Sequence, residues 1–433
     1  LAANTTASDN TAVGKSALGA NTTGAENCAI GSTCLDACST GSKNVAMGTS
    51  AGGSLTTGDR NTALGNFCMA NAAVTGDNNT AVGDNALRQL TSGEKNTGLG
   101  SESLYAHTTG SNNAAAGWRA LYSNTTGGHN AAFGDRPLYS STTASYNVAV
   151  GYAAAYSSTT SEYIVAVGSG ALFANTAAYG TAVGRDALTA NTTGSENTSV
   201  GQSSGLQNTT GGSNTFVGSQ AGRGITTGSE NVVIGRASVS NSGSTTGAAN
   251  TVVGCDAVQG SAFTGSSNTI IGRQAAYSMT SGSNNSCLGS GSGNSSSPSG
   301  NIGTGSNTIC LGDNNITALF CADTSISSSD ERDKADITDF NIGLEWINAL
   351  RPVTYKWDKR TWYGTDAEPY GTPDGSQKKS SVNIGFLAQE MLAVEKTHGY
   401  GNTNDDSLIV MNNLDEMSYG IKYERLVPIL VNA

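Results

Sequence analysis

One pattern of polar, apolar and glycine positions repeats along the first three-quarters of the chain. Each repeat contains a segment such as Asn79-Thr80-Ala81-Val82-Gly83, in which a small and a larger apolar residue precede a glycine. A fixed period of this length is typical of a solenoid, because each repeat buries its apolar side chains only by stacking on its neighbours. The closing glycine recurs, mostly every 17 residues, at Gly14, Gly31, Gly48, Gly65, Gly83, Gly100, Gly117, Gly134, Gly151, Gly168, Gly184, Gly201, Gly218, Gly235, Gly254, Gly272 and Gly289.

The alternation within this segment predicts a short β-strand. Thr80 and Val82 lie on one face and Ala81 on the other, as expected for a period of two. Alanine in the middle indicates a tight interior, whereas the residue before the glycine forms an apolar stripe, and glycine itself fits a corner with positive φ. We therefore predict a mainly β protein, a parallel β-solenoid (β-roll) with two strands per coil. About 17 coils would give a rod of roughly 80 Å.

The apolar stripe also predicts association between chains. A coil this thin has little interior of its own, so the stripe is best covered by wrapping chains around a common axis. We expect a homotrimer.

The composition changes from about Ser325 onwards. Three of the four tryptophans lie in this region, and lysine and arginine become frequent. We predict a repetitive solenoid over residues 1–312, a linker over 313–328 and a small α+β domain over 329–433. Within that domain we expect helices over 342–350, around 387–396 and from 422 to the end, and a strand over 353–357.

Charge and cysteine content limit the possible functions. The formal net charge is −11, which disfavours nucleic acid as a partner, and no apolar run is long enough for membrane insertion. Cys28, Cys34 and Cys38 lie close enough in sequence to form a thiol cluster, but cysteine here also fits a small apolar filler. We favour the filler and expect no metal and no cofactor. Because the sequence starts with Leu1, we expect residues to precede it in the full protein.

The repeat resembles known fibrous proteins. Its pattern of Asn-x-Ala-Val/Ile-Gly-x-x-Ala is similar to the head repeats of trimeric autotransporter adhesins and to repeats of viral tail fibres. The resemblance implies a left-handed parallel β-roll in a trimer.

The C-terminal region resembles a second family through four ordered blocks. These resemble the intramolecular-chaperone, self-cleaving peptidase domain at the C-terminus of phage tailspikes and tail fibres. The blocks are Ser329-Asp330-Glu331-Arg332-Asp333-Lys334, Gly343-Leu344 with Leu350-Arg351-Pro352-Val353-Thr354-Tyr355, Ile384-Gly385-Phe386-Leu387-Ala388-Gln389-Glu390, and Tyr423 through Leu426-Val427-Pro428.

This second resemblance implies a single self-cleavage by a Ser–Lys dyad. Ser329 would be the nucleophile and Lys334 its base, with the scissile bond between Ser328 and Ser329. Serine needs a nearby base, and lysine acts as one only when its pKa is lowered. Arg332 would support the reaction by lowering the pKa of Lys334 or by stabilising the oxyanion. From the local residues alone, the same segment also fits a solvated helix N-terminus with Ser329 as cap.

Aromatic residues recur five positions after the glycine and predict a column along the solenoid. We expect either a platform for sugar rings or a ladder that stabilises the coils, and we favour the ladder. Tyr146, Tyr163 and Tyr179 form a second, shorter series. The first column comprises Tyr105, Tyr122, Tyr139, Tyr156 and Phe173.

Carboxylates also share one turn position on successive coils, at Asp59, Asp77 and Glu94. They fit a cation site or a glycosidase pair, but carboxylates at turns are usually solvated, and we favour that interpretation.

Together these features favour a structural virion fibre, outside the cell, whose C-terminal chaperone aligns the trimer. Expected partners are a host-surface glycan or protein receptor and other virion tail proteins. Two alternatives remain: a bacterial trimeric surface adhesin, and a tailspike that depolymerises glycans. The first should carry a membrane-anchoring β-barrel, and the second a groove with convergent carboxylates.

Overall fold

The computed structural model describes residues 3–240, 243, 245–260, 262–316, 337, 339–364, 371–403, 406–412 and 419–433. The chain divides into two compact units. Unit 1 comprises Leu1–Asn294 with Ile302–Leu311, and unit 2 comprises Ser295–Asn301 with Gly312–Ala433.

Unit 1 is a parallel β-solenoid whose described residues form one 18-stranded sheet. Each strand pairs in parallel with the next strand in sequence, as in the register of Thr97 with Ala114. The predicted coil per repeat is confirmed, including a last coil after the glycine- and serine-rich stretch near residue 300. Strands β1 to β18 are Thr11–Val13, Cys28–Ile30, Val45–Met47, Thr62–Leu64, Thr80–Val82, Thr97–Leu99, Ala114–Ala116, Ala131–Phe133, Val148–Val150, Val165–Val167, Thr181–Val183, Thr198–Val200, Thr215–Val217, Val232–Ile234, Thr251–Val253, Thr269–Ile271, Ser286–Leu288 and Ile309–Leu311.

The two faces of each strand differ as the alternation predicts. The middle residue of the strand is buried in most coils, usually as alanine, and joins a core that runs the length of the solenoid. The residue before the glycine points outward and stays exposed in most coils. Exposed examples are Val13, Met47, Leu99, Phe133, Val150, Val183, Val200, Val217, Ile234, Ile271, Leu288 and Leu311.

The prediction of two strands per coil is wrong. The described part of the solenoid has one strand per coil, and the segment after the glycine is a series of turns. In that segment Asn85 and Leu87 have φ values of 55° and 50°, and the same left-handed pair recurs along the coils. Its backbone still bonds from coil to coil, because the N–H of Leu87 donates to the carbonyl of Ser103 at 3.0 Å. Left-handed residues turn the chain too tightly for a second strand.

Glycine is required at the corner after each strand. Gly117 has φ +128°, and a Cβ placed on it would lie 1.8 Å from the carbonyl oxygen of Gly134 in the next coil. Both the backbone conformation and the close approach of neighbouring coils therefore exclude a side chain here.

Unit 2 is a small α+β unit. Its helices α1 to α3 are Leu344–Ala349, Ala388–Thr397 and Leu426–Val431, with 3-10 turns at Arg360–Trp362 and Tyr423–Arg425. Strands β19 and β20, Val353–Tyr355 and Asn383–Gly385, pair antiparallel, as do β21 and β22, Val410–Asn412 and Tyr419–Ile421. The predicted helices and strand are present. The first two helices and the strand differ from prediction by one to two residues at an end, whereas the helix predicted from 422 to the end begins at Leu426 after a 3-10 turn and ends at Val431. Trp346 and Met391 lie in the core.

Candidate functional site

The predicted dyad and scissile bond lie outside the described residues. This applies to Ser328, Ser329, Arg332 and Lys334, so their chemistry stays a prediction.

The first aromatic column is continuous. Tyr105 and Tyr122 stack with ring centroids 5.0 Å apart, and the series continues through Tyr139 and Tyr156 to Phe173 at 5.0–5.2 Å. Neighbouring rings cover both faces of each inner ring, so a sugar ring finds mainly ring edges and hydroxyl groups. This geometry favours the ladder over the sugar platform, while sugar binding itself stays a prediction.

The second column is also stacked and contains one more ring than the sequence suggested. His129 stacks on Tyr146 at 4.9 Å, and Tyr146, Tyr163 and Tyr179 follow at 5.1 and 5.5 Å. Unlike the rings of the first column, which lie after the glycine, these residues lie two positions before each strand. The three tyrosine side chains are about half exposed.

A third aromatic group follows the corner glycine. The Arg136 guanidinium lies 5.3 Å from the ring centres of both Trp118 and Tyr152, which belong to the coils on either side. Arg119 covers Trp118 at 4.5 Å and bonds to Glu102 through its Nε at 2.5 Å. Both arginines have acidic partners, since Arg136 also pairs with Asp135. The group is therefore aromatic and close to neutral, not a cationic patch.

A ladder of buried asparagines, not predicted from the sequence, runs along the solenoid. In the typical case, the Asn44 backbone N–H donates to Asn27 Oδ1 at 2.9 Å, and Asn44 Nδ2 donates to the Gly58 carbonyl at 2.9 Å. Each side chain thus pairs one coil with the next at both of its polar ends. The buried members are Asn27, Asn44, Asn61, Asn79, Asn96, Asn113, Asn130, Asn147, Asn197, Asn214, Asn231, Asn250, Asn268 and Asn285.

Two of the three turn carboxylates, those of Asp59 and Asp77, bond to the backbone of a neighbouring coil. Asp59 Oδ1 accepts the backbone N–H of Ser42, and Asp77 Oδ1 accepts that of Asp59, both at 2.7 Å. At the same turn position Ser111 Oγ accepts the backbone N–H of Glu94 at 3.0 Å. Aspartate and serine thus accept the same backbone N–H at this turn position. Because serine can replace the carboxylate here, the contact favours turn stabilisation over catalysis.

The cysteines of the first coils pack as core residues. Cys34 and Cys38 are fully buried, and burial raises the pKa of both thiols to about 11. The filler interpretation is confirmed for these two.

Among the described residues there is no cluster of three or more His, Cys, Asp or Glu side chains suited to a metal. Over that same part of the chain, no helix combines the length and apolarity needed to span a bilayer.

In unit 2 the sequence blocks converge. Strand β19, from the Leu350–Tyr355 block, pairs with β20, where the Ile384–Glu390 block begins. The Arg351 guanidinium and the Glu390 carboxylate form a two-pronged ion pair, with Nε to Oε2 at 3.0 Å. The Phe386 backbone N–H donates to the Tyr423 hydroxyl at 3.2 Å. Three of the four blocks therefore form a single packed region.

A buried carboxylate organises the rest of unit 2. Glu395 on α2 is fully buried; its Oε1 accepts the backbone N–H groups of Ile409 and Val410, and its Oε2 accepts the Ser407 hydroxyl at 3.0 Å. The sequence gives little sign of this role, because Glu395 lies between the third and fourth blocks in an ordinary helical pattern. At the end of the same helix, the Trp346 ring stacks on His398 at 5.4 Å.

An open groove of about 530 Å³ lies within unit 2, lined mainly by Tyr355, Trp357, Phe386, Tyr419 and Tyr423. Beside it, Lys359 lies over the Trp357 ring at 5.1 Å, and burial lowers the pKa of its ammonium. The groove is largely aromatic, and Lys356, Asp358 and Arg360 also line it.

The comparison with known families agrees with these blocks. Residues 329–400 match the model of the Peptidase_S74 family, described as the chaperone of endosialidase. The match begins at Ser329, where the first of the four blocks begins, and confirms the resemblance of the C-terminal region. No curated protein and no solved structure gives a significant match to the chain.

Proposed function

We propose that the chain is a homotrimeric virion fibre that attaches to the host surface, and that its C-terminal region is an intramolecular chaperone. The observation that carries this proposal is the pairing of an 18-stranded solenoid with a region that matches the chaperone-of-endosialidase model. That combination is typical of a tailspike- or fibre-like protein with a C-terminal chaperone. A bacterial adhesin would share the solenoid, but the C-terminal match favours the fibre.

The exposed stripe supports the trimer. Eighteen strands spaced about 4.8 Å apart, each about 10 Å long, present a strip of roughly 800 Å². The largest apolar patch of a typical monomer measures about 300–600 Å², and a standard interface buries about 800 Å² per partner. A partner with the same coil spacing covers such a strip along its whole length, and a second copy of the chain has that spacing.

Exposed apolar side chains in unit 2 support association as well. Helix α3 buries Leu426 and Ile429, while Val427, Leu430 and Val431 are exposed on its other face. In a chaperone that aligns three chains, this face would pack against the other copies. The strand residue Ile384, which is 81% exposed, is a further candidate for the same contact.

In this proposal the chaperone solves a problem of alignment. Near-identical coils make shifted pairings of two chains almost equal in energy, so a trimeric C-terminal seed is needed to set the starting register. Self-cleavage between Ser328 and Ser329 would then leave a fibre whose persistence depends on an unfolding barrier. Attachment to a host glycan or protein receptor, and docking to other virion tail proteins, complete the proposed function.

Native and denaturing mass spectrometry of the full chain test the oligomer and the cleavage together. We expect a threefold native mass, and a denatured fragment ending at Ser328 that disappears in Ser329→Ala and persists in the control Ser327→Ala. A monomeric native mass would refute the trimer. Cleavage that continues in Ser329→Ala would refute the dyad.

Attachment is tested with the fluorescently labelled full chain on a panel of bacterial strains. We expect saturable binding to a subset of strains, which excess unlabelled chain competes away. Equal, non-saturable retention on every strain would refute receptor attachment and leave the oligomer untouched.

A further inference from the structure

The outward apolar strip of the solenoid is not uniform along its length. In most coils two outward columns form it: the first strand residue, often threonine, and the apolar residue before the glycine. On either side of these columns lie polar positions. The column that comes two residues before each strand holds Glu26, Arg60, Lys95, Glu196 and Glu230 in different coils.

In the central coils the strip widens on both sides. The flanking column before the strand becomes aromatic at Tyr146, Tyr163 and Tyr179, and the flanking column after the glycine becomes aromatic at Trp118 and Tyr152. Each of these five rings is at least 42% exposed. We call these five residues the central patch.

The strand residues between these flanks change in the same coils. The first strand residue, threonine in many coils, is Ala131 in β8, Val148 in β9 and Val165 in β10. Phe133 and Val150 complete the outward surface there and are both exposed. All four outward columns are apolar or aromatic together in the coil of β9, near the middle of the 18 strands, and three of the four are so in the neighbouring coils of β8 and β10.

The rings of the central patch are packed on neighbouring groups within a single chain. The three tyrosines stack on each other with planes within 1° of parallel, and Arg136 holds Trp118 and Tyr152 at one distance. Rigid aromatic side chains lose little entropy on binding and are enriched at the energetic centres of interfaces.

The uniform strip cannot choose a register between chains. A shift of one copy by one coil places the apolar column on an equivalent column and threonine on threonine, so the shifted pairing keeps almost all contacts. A shift of the central patch has a different result. A shift of one coil places Tyr179 at the level where the matching column carries Glu196, and Tyr146 at the level of His129, with loss of aromatic burial at Tyr179.

We propose that the central patch is the register key of the fibre: it packs against the central patches of the other copies and holds the coils level. This inference rests on the proposed oligomer and adds to it a residue-level mechanism. The C-terminal chaperone would set the initial alignment, and the central patch would keep it along the solenoid.

Inter-chain photo-crosslinking of the full chain tests the proposal. A benzoylphenylalanine replaces Val217, an exposed stripe residue outside the central patch. Covalently linked species are isolated on a denaturing gel. Proteolytic peptides of these species then identify the coil of the second copy to which residue 217 is linked. The patch variant replaces all five residues by serine, which other coils carry in these columns at Ser101, Ser213 and Ser267.

The first aromatic column supplies a matched control. Replacing Tyr105, Tyr122, Tyr139, Tyr156 and Phe173 by serine also removes five rings, but from the turn segment that packs across the interior from the strand. In that segment Leu87 approaches the strand at Gly98. If the patch variant does not fold, Tyr163→Ser with Tyr179→Ser replaces it.

In the unaltered chain and in the control, we expect crosslinks only between equivalent coils of different copies. In the patch variant the shifted fraction should rise to about two-thirds, as it would when three neighbouring registers have equal energy. An unchanged register in the patch variant would overturn the register key while leaving the oligomer intact. Absence of covalent oligomers in the unaltered chain would instead overturn the proposed oligomer, and the key with it.

Discussion

The solenoid and the C-terminal unit satisfy their buried polar groups in opposite ways. In the solenoid, each buried asparagine bonds to the next coil, and the same pair of contacts recurs along the sheet, as at Asn44 and Asn61. In the C-terminal unit, Glu395 alone accepts three donors from the segment that leads into β21. The solenoid core is made largely of alanine and leucine, whereas the other core is centred on Trp346 and Met391.

This contrast determines how each region should respond to damage. In a solenoid, stability is approximately a sum of coil and nearest-neighbour terms, so a single lost contact opens a few coils. A small unit with one core unfolds as a whole, so a single lost contact weakens all of it. The variants below test these two modes, from the largest expected effect to the smallest.

The largest effect is expected at the corner glycines. Gly117→Ala places a Cβ 1.8 Å from the Gly134 carbonyl oxygen at φ +128°, which neighbouring coils cannot avoid without separating. We expect a loss of about 4 kcal/mol or more, seen as new protease cleavage near these coils. Gly180→Ala is the control, because its Cβ would meet only Leu172 at an ordinary 3.6 Å. Equal protease sensitivity of the two variants would contradict the close coil stacking.

Removal of the buried carboxylate should destabilise the C-terminal unit as a whole. Glu395→Ala leaves the backbone N–H groups of Ile409 and Val410 unpaired, and we expect a loss of about 3 kcal/mol. The measurement is denaturant unfolding followed by tryptophan fluorescence, since Trp346 lies in this core.

Glu390→Ala on the same helix is the control for Glu395→Ala. Its ion pair with Arg351 is exposed, so we expect a loss below about 1 kcal/mol. A similar loss in both variants would show that Glu395 does not organise this unit.

Acid should destabilise the solenoid and the C-terminal unit over different pH ranges. His107 is fully buried in the solenoid, and burial lowers its pKa from 6.5 to about 4. The unfolded chain therefore takes up the proton first, and solenoid stability falls as the pH drops from 6.5 to 4, by up to about 3 kcal/mol. In the C-terminal unit, hydrogen bonds lower the pKa of the Asp374 and Asp406 carboxyls, so their contribution is lost only at more acidic pH, below about 4.

His107→Asn measures this acid effect, because asparagine occupies the same column at Asn124. We expect the variant to lose the dependence on pH between 6.5 and 4 in thermal melts. His129→Asn, which changes an exposed histidine, should keep it. A pH dependence that survives His107→Asn would assign the acid sensitivity to other groups.

The sequence predicts the parts of this fold that follow from periodicity. The buried alanine, the exposed residue before the glycine and the corner glycine all follow from one repeated segment, and the helices of the C-terminal unit follow from ordinary patterns. The turn segment could not be predicted in the same way, because leucine rarely adopts the left-handed conformation that Leu87 and Leu104 have here. Two β-strands were the more usual expectation for such apolar segments.

The candidate sites also differ in whether they follow from the repeat or depend on contacts between distant segments. The aromatic columns were predictable because residues one period apart must stack in a solenoid, and His129 was missed since its ring type differs from the tyrosines. The role of Glu395 depends on contacts between distant segments, which a single helix pattern does not contain. The predicted dyad of Ser329 and Lys334 lies outside the described residues.

The asparagine ladder gives the smallest single effect and the clearest measure of local damage. Asn113→Ala removes the bonds from Asn113 Nδ2 to Asn96 Oδ1 and to the Gly127 carbonyl, and it leaves the backbone N–H of Asn130 without its acceptor, Asn113 Oδ1. We expect a loss of about 2 kcal/mol. Hydrogen exchange should then increase in the adjoining coils and remain unchanged many coils away. The exposed Asn66 gives a control, because its side chain makes one surface bond to Thr49 and its removal should change stability by less than about 0.5 kcal/mol.

The extent of the exchange decides between the two modes of damage. Asparagine in this position also fits an ordinary turn residue, so the repeat pattern alone does not reveal the ladder. Three of the 18 described coils lack the ladder residue, with Ile164, Gly180 and Thr308 in its place, and the sheet includes all three. Tolerance of these natural gaps argues that a lost rung stays local. Faster exchange across the whole solenoid in Asn113→Ala would mean instead that the coils unfold as one unit, as the C-terminal core is expected to do.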